Sequence, residues 1–342
     1  MAEIEAAITT QAPWGDSPLP WQQGLWEGLI APRLRQGDMP HALLILGVRG
    51  LGKSHFARLL AAALLCEARG GAGLPCGACR GCRLRLAGAH PDLNMVETGE
   101  GGRGGIGVDQ IRALTERVWL SSQYGGARIG IVDPADRMTL SAANSLLKTL
   151  EEAPERAVLV LVADRPNRLP ATIRSRCQIL KLTAPDAAEA GSWLRAQAGG
   201  EQAPALLPLT AGAPLAALEL ARENAGEAMT GLMTALEAIA SGRLSPVEAA
   251  APWAGRGDAG RLLDWTDALV TDLARSQVAG TEWLRIWDPV RIQSFAKRLS
   301  STSLQEFLLW LAETRRAAEQ PLNDQLVAES LFVRWRRAVR SG

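Results

Sequence analysis

The chain has 342 residues, and its 37 Lys and Arg nearly balance 36 Asp and Glu, so no global charge directs it to nucleic acid or to an anionic membrane. That length exceeds one ordinary compact domain and predicts two or three, each with its own core. The N-terminus lacks the basic-then-apolar pattern of a signal peptide, and no apolar run approaches the roughly 20 residues that span a bilayer, so a cytoplasmic chain without membrane contact is expected.

Trp21, Leu25, Leu29 and Ile30 recur at helical spacing until Gly37 and Pro40, which predicts a leading helix ahead of the first strand. From Ala42 onward short apolar runs alternate with helical patterns, at residues 42–46, 93–96, 129–132, 158–162 and 179–182. That rhythm marks a parallel α/β sheet with helical crossovers. The Gly-rich stretch 99–107 reads as a flexible loop. After Pro185 the strand pattern stops, and an Ala- and Leu-rich helical region runs to about Ala254. A Gly-containing linker around residues 255–260 then leads into a final helical block. There Leu262, Trp265, Leu269 and Leu273 share one face, and Phe307, Leu308 and Leu311 share another. The expected division is therefore residues 1–185, 186–255 and 256–342.

Gly47-Val48-Arg49-Gly50-Leu51-Gly52-Lys53-Ser54 fits G-x-x-x-x-G-K-[ST], directly after an apolar run and directly before a helical one. Gly47, Gly50 and Gly52 let backbone N–H groups turn toward phosphate oxygens, Lys53 reaches the β and γ phosphates, and Ser54 is placed to ligate magnesium. A chance Gly-rich turn is the competing reading, but it does not require the strand before and the helix after. Lys53 also stands out because the basic residues are almost all Arg, with Lys only at 53, 148, 181 and 297. Hydrolysis needs an acid to hold the metal and a base to position water. The run 129–132 ends in Asp133, suited to magnesium, but Pro134 follows, and Asp136 comes too late to substitute simply. Asp133 as a cap of the next helix is the alternative.

Four of the five cysteines, Cys66, Cys76, Cys79 and Cys82, fall in one segment as C-x9-C-x2-C-x2-C. In a reducing compartment such spacing points to metal rather than disulfides, and four thiolates suit one tetrahedral, closed, structural zinc. Pro75, Gly77 and Gly81 suit a surface loop. Four ordinary cysteines, and His90 as a rival ligand, are the alternatives, although His90-Pro91-Asp92 reads better as the approach to the next strand.

Taken in order, His41-Ala42-Leu43-Leu44, the Gly-rich loop, the four-cysteine insert, Ala89-His90-Pro91-Asp92, the segments 106–112 and 144–154, and Ser175-Arg176-Cys177 resemble the clamp-loader subunits of bacterial DNA polymerase III, delta prime or its gamma/tau relatives. The resemblance is strong over residues 20–185 and weak after the middle helical region, apart from Leu322-Asn323 and the segment 326–335. It implies an AAA+ P-loop domain with a parallel sheet, a small all-α lid domain and an all-α collar domain. It also implies ATP or ADP with magnesium at the P-loop, and Arg176 acting in trans on a neighbouring subunit's ATP site. Partners would be gamma/tau and delta, with the sliding clamp and primer-template DNA reached through the assembled complex. Arg174 and Arg176 as plain solvated charges, and Lys148 paired with Glu151 or Glu152 rather than near DNA, are the alternatives.

Three departures favour the delta prime branch. The gamma/tau pattern has Asp-Glu after the second motif strand, a threonine pair at sensor 1 and an Arg at sensor 2; here those places hold Asp133-Pro134, Ala163-Asp164 and Leu215. The expectation is a subunit that helps load the clamp with defective ATP hydrolysis of its own. An active gamma/tau-like ATPase is the alternative. Nothing resembles the paired metal-binding carboxylates of a polymerase palm, so DNA-directed DNA polymerase activity would belong to the holoenzyme.

Overall fold

A computed structural model describes residues 15–98, 104–124, 126–253, 259–281, 284, 287–317 and 323–340. The chain divides into two compact units, Met1–Asp186 and Ala187–Gly342. In the first, β1 (Ala42–Leu46), β2 (Leu93–Glu97), β3 (Arg128–Asp133), β4 (Ala157–Ala163) and β5 (Gln178–Lys181) form one parallel sheet in the order β2-β3-β4-β1-β5. Helices on both faces explain why the strands read as continuous apolar runs, and β4 is buried along its whole length. The last strand is set one residue ahead of its apolar run: it begins at Gln178, and Leu182 lies past its end, donating its N–H to the Leu46 carbonyl at 2.8 Å.

On one face, α5 (Val108–Trp119), α6 (Leu140–Glu151) and α7 (Ala171–Arg174) join the sheet in a core containing Leu44, Ile111, Leu114, Leu146, Leu159 and Ile173. Gly130 permits that closeness, since a Cβ there would meet Leu159 at 2.8 Å and Val118 at 3.1 Å. α3 (Lys53–Leu65) packs on β1, β3 and β4 through a stripe that buries Phe56, Leu59 and Leu60. The short α4 (Arg80–Leu86) packs on α3.

The leading helix differs from a simple α-helix. α1 (Pro20–Leu25) runs into a π-helical turn, Trp26–Ile30, before α2 (Ala31–Gln36) ends at Gly37 with φ 71°. Trp26 and Ile30 are both buried, and the Trp26 indole donates to the Ala72 carbonyl at 3.0 Å. The stretch expected as a flexible loop needs correction where it is described. Residues 99–103 lie outside the described residues, but Ile106 is fully buried and pinned to Arg137 and Thr139 by backbone hydrogen bonds of 2.9 Å each. One apolar side chain among glycines is enough to anchor the strip.

The second unit is helical: α8 (Ala187–Arg195), α9 (Ala203–Leu206), α10 (Pro214–Arg222), α11 (Ala225–Ala240), α12 (Pro246–Ala250), α13 (Ala259–Ala279), α14 (Pro289–Ala296), α15 (Ser301–Ala317) and α16 (Asp324–Arg340). The linker expected around 255–260 falls mostly on residues 254–258, outside the described residues, as does Leu322. α13 buries Leu262, Trp265, Leu269 and Leu273, while α15 buries Phe307 and Leu311. Trp335 of α16 is fully buried, packs edge-on against Phe295 and Phe307, and donates to the Leu236 carbonyl of α11 at 3.0 Å. Among the described residues no helix is long and apolar enough to cross a membrane.

Candidate functional site

The cysteine insert begins where α3 stops. Cys66 follows the last helical residue, Cys76 lies in the loop, Cys79 caps the N-terminus of α4 and Cys82 sits in its first turn. Gly77, at φ 73°, makes the turn between the middle pair, and Gly81 admits the Leu65 carbonyl, which a Cβ there would meet at 2.3 Å. The four sulfurs consequently lie within 4.8 Å of one another. Backbone amides run through the cluster, with Cys76 N–H on Cys66 Sγ and Cys79 N–H on Cys76 Sγ at 3.3 Å, and Cys82 N–H on Cys79 Sγ at 3.4 Å.

Those amides decide the charge of each sulfur. Burial opposes the Cys79 thiolate, but the amides of Cys82 and Glu67 and the neighbouring thiols outweigh it and bring its pKa down to about 6. The amides of Ala78 and Cys79 also lower Cys76, whereas burial pushes Cys66 and Cys82 up. Two sulfurs that favour the thiolate thus lie within contact distance of two that favour the thiol, and a soft divalent cation would balance the set. The cluster fits one metal ion. His90 stays out of it: its Nδ1 accepts the Asp92 N–H at 3.2 Å and its ring packs edge-on against Tyr124. The insert is tied down by Arg85 of α4, fully buried, whose guanidinium donates to Asp16 at 2.6 Å.

The Gly-rich loop lies between β1 and α3. Gly50 and Gly52 adopt φ 87° and 77°, conformations that side chains resist, and a Cβ on Gly47 would come 2.8 Å from the Leu182 carbonyl. The loop is held from behind: the Gln22 amide donates to the Leu51 and Gly52 carbonyls, each at 2.9 Å, and the Trp21 indole donates to Leu51 at 3.0 Å. A glycine cradle at a helix N-terminus and at the carboxyl end of parallel strands fits a phosphate chain.

Its charged residues are already engaged. Lys53, only 5% exposed, places its ammonium 2.5 Å from Asp164, the residue after β4, and donates to the Val48 carbonyl at 2.9 Å. Ser54 hydrogen-bonds Asp133, whose pKa is raised by burial against the lowering effects of Ser54 and Arg58. Arg58, one turn beyond Ser54, bridges Asp133, at 3.7 Å, and Glu97, its register partner on β2. Asp136, past Pro134, accepts the N–H groups of Asp164 and Arg165 at 3.4 and 3.2 Å. Sequence reading found Gly47, Gly50, Gly52, Lys53, Ser54 and Asp133, which the structure gathers at one sheet edge. It missed Arg58 and the reach of Asp164. The available signals were the spacing of Arg58 four residues after Ser54, and a carboxylate at the end of a central strand.

Arg176 lies between α7 and β5, at the edge where parallel strands begin, whereas the Gly-rich loop is at the edge where they end. It donates from Nε to Glu151 at 2.8 Å and from Nη1 to the Thr172 carbonyl at 3.1 Å. Lys148 is exposed in the last turn of α6, and Glu151, one of its expected partners, is taken by Arg176.

A family model described as DNA polymerase III, delta subunit, matches residues 22–186. The chain is 33% identical to DNA polymerase III subunit delta' of Pseudomonas aeruginosa over 323 residues, covering 92% of this chain and 96% of the relative. It is 33% identical to the Escherichia coli delta' subunit over 328 residues, covering 94% and 96%. Similarity to the E. coli tau subunit, at 36% identity over 157 residues, covers 46% of this chain and 24% of tau.

Proposed function

The chain belongs to the DNA polymerase III delta prime subunit family, and from that premise we propose that it works in the clamp loader as an assembly subunit without ATP hydrolysis of its own. The observation that carries the second half of this reading is the end of β3, where Asp133 is followed by Pro134 and the carboxylates nearby are committed: Asp136 to the Asp164 loop, Glu97 to Arg58. A base able to activate water is lacking at the place chemistry requires one.

Its contribution to catalysis is made in trans. Arg176 is half-exposed at the sheet edge opposite its own Gly-rich loop, which supports a guanidinium that neutralises charge developing on a phosphoryl group held by an adjacent gamma/tau subunit. Residues 186–255 then form the lid and 256–342 the collar that joins gamma/tau and delta, and the clamp and primer-template DNA are met through the complex in the cytoplasm. Zinc at Cys66, Cys76, Cys79 and Cys82 is structural. A tetrahedral tetrathiolate site has sulfurs about 3.8 Å apart, and the Cys79 and Cys66 sulfurs are 3.9 Å apart. Nucleotide, where bound, lies along Gly47 to Ser54 with Asp133 toward its magnesium.

Reconstitution with gamma/tau and delta tests the proposal. Alone, the chain is expected to hydrolyse ATP negligibly. In the complex, Arg176→Ala is expected to leave assembly and zinc content intact while lowering hydrolysis at the adjacent site by roughly 10³–10⁵, and Arg174→Ala to do less. Turnover by the isolated chain at the rate of a gamma/tau ring, abolished by Lys53→Ala, would overturn the reading in favour of an active ATPase.

A further inference from the structure

A P-loop lysine serves a nucleotide through a free ammonium, and here that ammonium is taken. Asp164 leaves β4, the strand between β1 and β3, so its carboxylate emerges between the glycine cradle and Asp133. It meets Lys53 Nζ at 2.5 Å. The acid is not carried on a loose loop, because the Asp136 carboxylate fastens the backbone N–H groups of both Asp164 and Arg165. On the metal side, Arg58 bridges Glu97 and Asp133, the acid that Ser54 hydrogen-bonds.

The geometry points to Asp164 as an internal stand-in for a terminal phosphate, a residue that makes this site prefer a nucleoside diphosphate to a triphosphate. The inference rests on the reading of residues 47–54 as a nucleotide site. Backbone amides of the cradle grip the first two phosphates, and they remain available while Lys53 is paired. A third phosphate must take Lys53 from Asp164 and then lie beside the displaced carboxylate. Like charges at about 4 Å repel strongly in a protein environment, and the 38% exposure of Asp164 reduces the penalty to on the order of tenfold in affinity.

The test is nucleotide binding to the whole zinc-loaded chain, using fluorescently labelled ADP displaced by unlabelled ADP or ATP, with and without magnesium. The wild type is expected to hold ADP about tenfold more tightly than ATP. Asp164→Asn keeps the shape and removes the charge. It is expected to tighten ATP by about tenfold while changing ADP less; Asp164→Ala repeats the measurement should the new amide perturb the loop. Lys53→Ala should weaken both. Circular dichroism and zinc content certify the fold of each variant. If both Asp164 variants keep the wild-type ADP to ATP ratio while Lys53→Ala still abolishes binding, the nucleotide site stands and the role of Asp164 falls. If ADP and ATP fail to bind any of these proteins, the site reading falls and takes the inference with it.

Discussion

The glycine cradle and the cysteine insert lie at the two ends of one helix, for α3 begins at Lys53 and is followed by Cys66. Both are ligand motifs complete in sequence, yet the chain treats their charges differently. At the N-terminal end the ions are paired across elements: Lys53 of α3 has Asp164, just past β4, and Asp133 of β3 has Arg58 of α3. At the C-terminal end the sulfurs meet amides and one another, and their opposing pKa shifts leave the set wanting a cation. A motif announces which atoms are available, and only the fold decides whether the chain has already used them.

Breaking the cysteine end should have the larger effect. Cys82→Ser removes a buried sulfur of the cluster; zinc, expected by elemental analysis at about one per chain in the wild type, should fall well below half, with a stability loss of about 4 kcal/mol. A chelator should shift the wild-type thermal melt in the same direction and leave the variant nearly unmoved. An unchanged melt together with full zinc in Cys82→Ser would remove the contrast at its root.

At the cradle end, Arg58→Met leaves Asp133 and Glu97 facing one another without the guanidinium. A cost of about 2–3 kcal/mol at pH 7 is expected, discounted because Glu97 is partly exposed. Burial already raises the Asp133 pKa, and losing Arg58 raises it further. A group with a raised folded-state pKa is favoured at low pH and loses that advantage as pH rises, so the deficit should shrink as the solution is acidified. Millimolar magnesium should stabilise this variant more than the wild type, because the cation then replaces the guanidinium. Equal melting of variant and wild type at pH 7 would mean that the bridge carries no weight.

Much of this architecture can be read directly. β2, β3 and β4 stand where apolar runs are bounded by charge, β1 where a run ends at Gly47, and β5 one residue ahead of its run, while the Gly-rich and cysteine motifs need only their own neighbourhoods. What the sequence hides depends on strand order. Lys53 meets Asp164 because β1 lies beside β4, and Glu97 meets Asp133 because β2 lies beside β3. Periodicity within one segment carries no trace of such pairings. The π-helical turn at Trp26–Ile30 is hidden for a related reason, since Trp26 answers to Ala72 and Phe56 rather than to its own helix. Ile106 was obscured by the glycines around it.

A smaller effect is expected between the two ends, at His55. Its ring is buried and hydrogen-bonded to the Ser17 carbonyl at 2.7 Å, and burial lowers its pKa below the ordinary 6.5. The unfolded chain therefore takes up a proton at this residue before the folded one does. Stability from His55 is present above about pH 6.5 and lost as pH falls through the lower folded value, by on the order of 1 kcal/mol between pH 7 and 5. His90 shifts in the same direction, so the difference between wild type and His55→Gln is the quantity to measure by denaturant unfolding. A difference that does not change with pH would show that His55 titrates alike in both states.

The smallest expected effect is the most informative about the cradle. Pro134→Glu supplies a carboxylate at the position where the AAA+ pattern carries its base, and if that loss alone explained an inactive site, hydrolysis should appear. Two other features argue that it will not. Lys53 is still paired with Asp164, and Asp133 still answers to Arg58. A base accelerates proton transfer by roughly 10²–10⁴ when the phosphoryl group and water are already positioned, and here the groups that would position them are engaged elsewhere. Steady-state phosphate release by the isolated Pro134→Glu protein is therefore expected to match the wild-type background. Adding Asp164→Asn to Pro134→Glu should strengthen ATP binding and still leave turnover low. Robust hydrolysis from Pro134→Glu alone would mean that the internal ion pairs yield readily to nucleotide, and that the two ends of α3 differ less than their geometry implies.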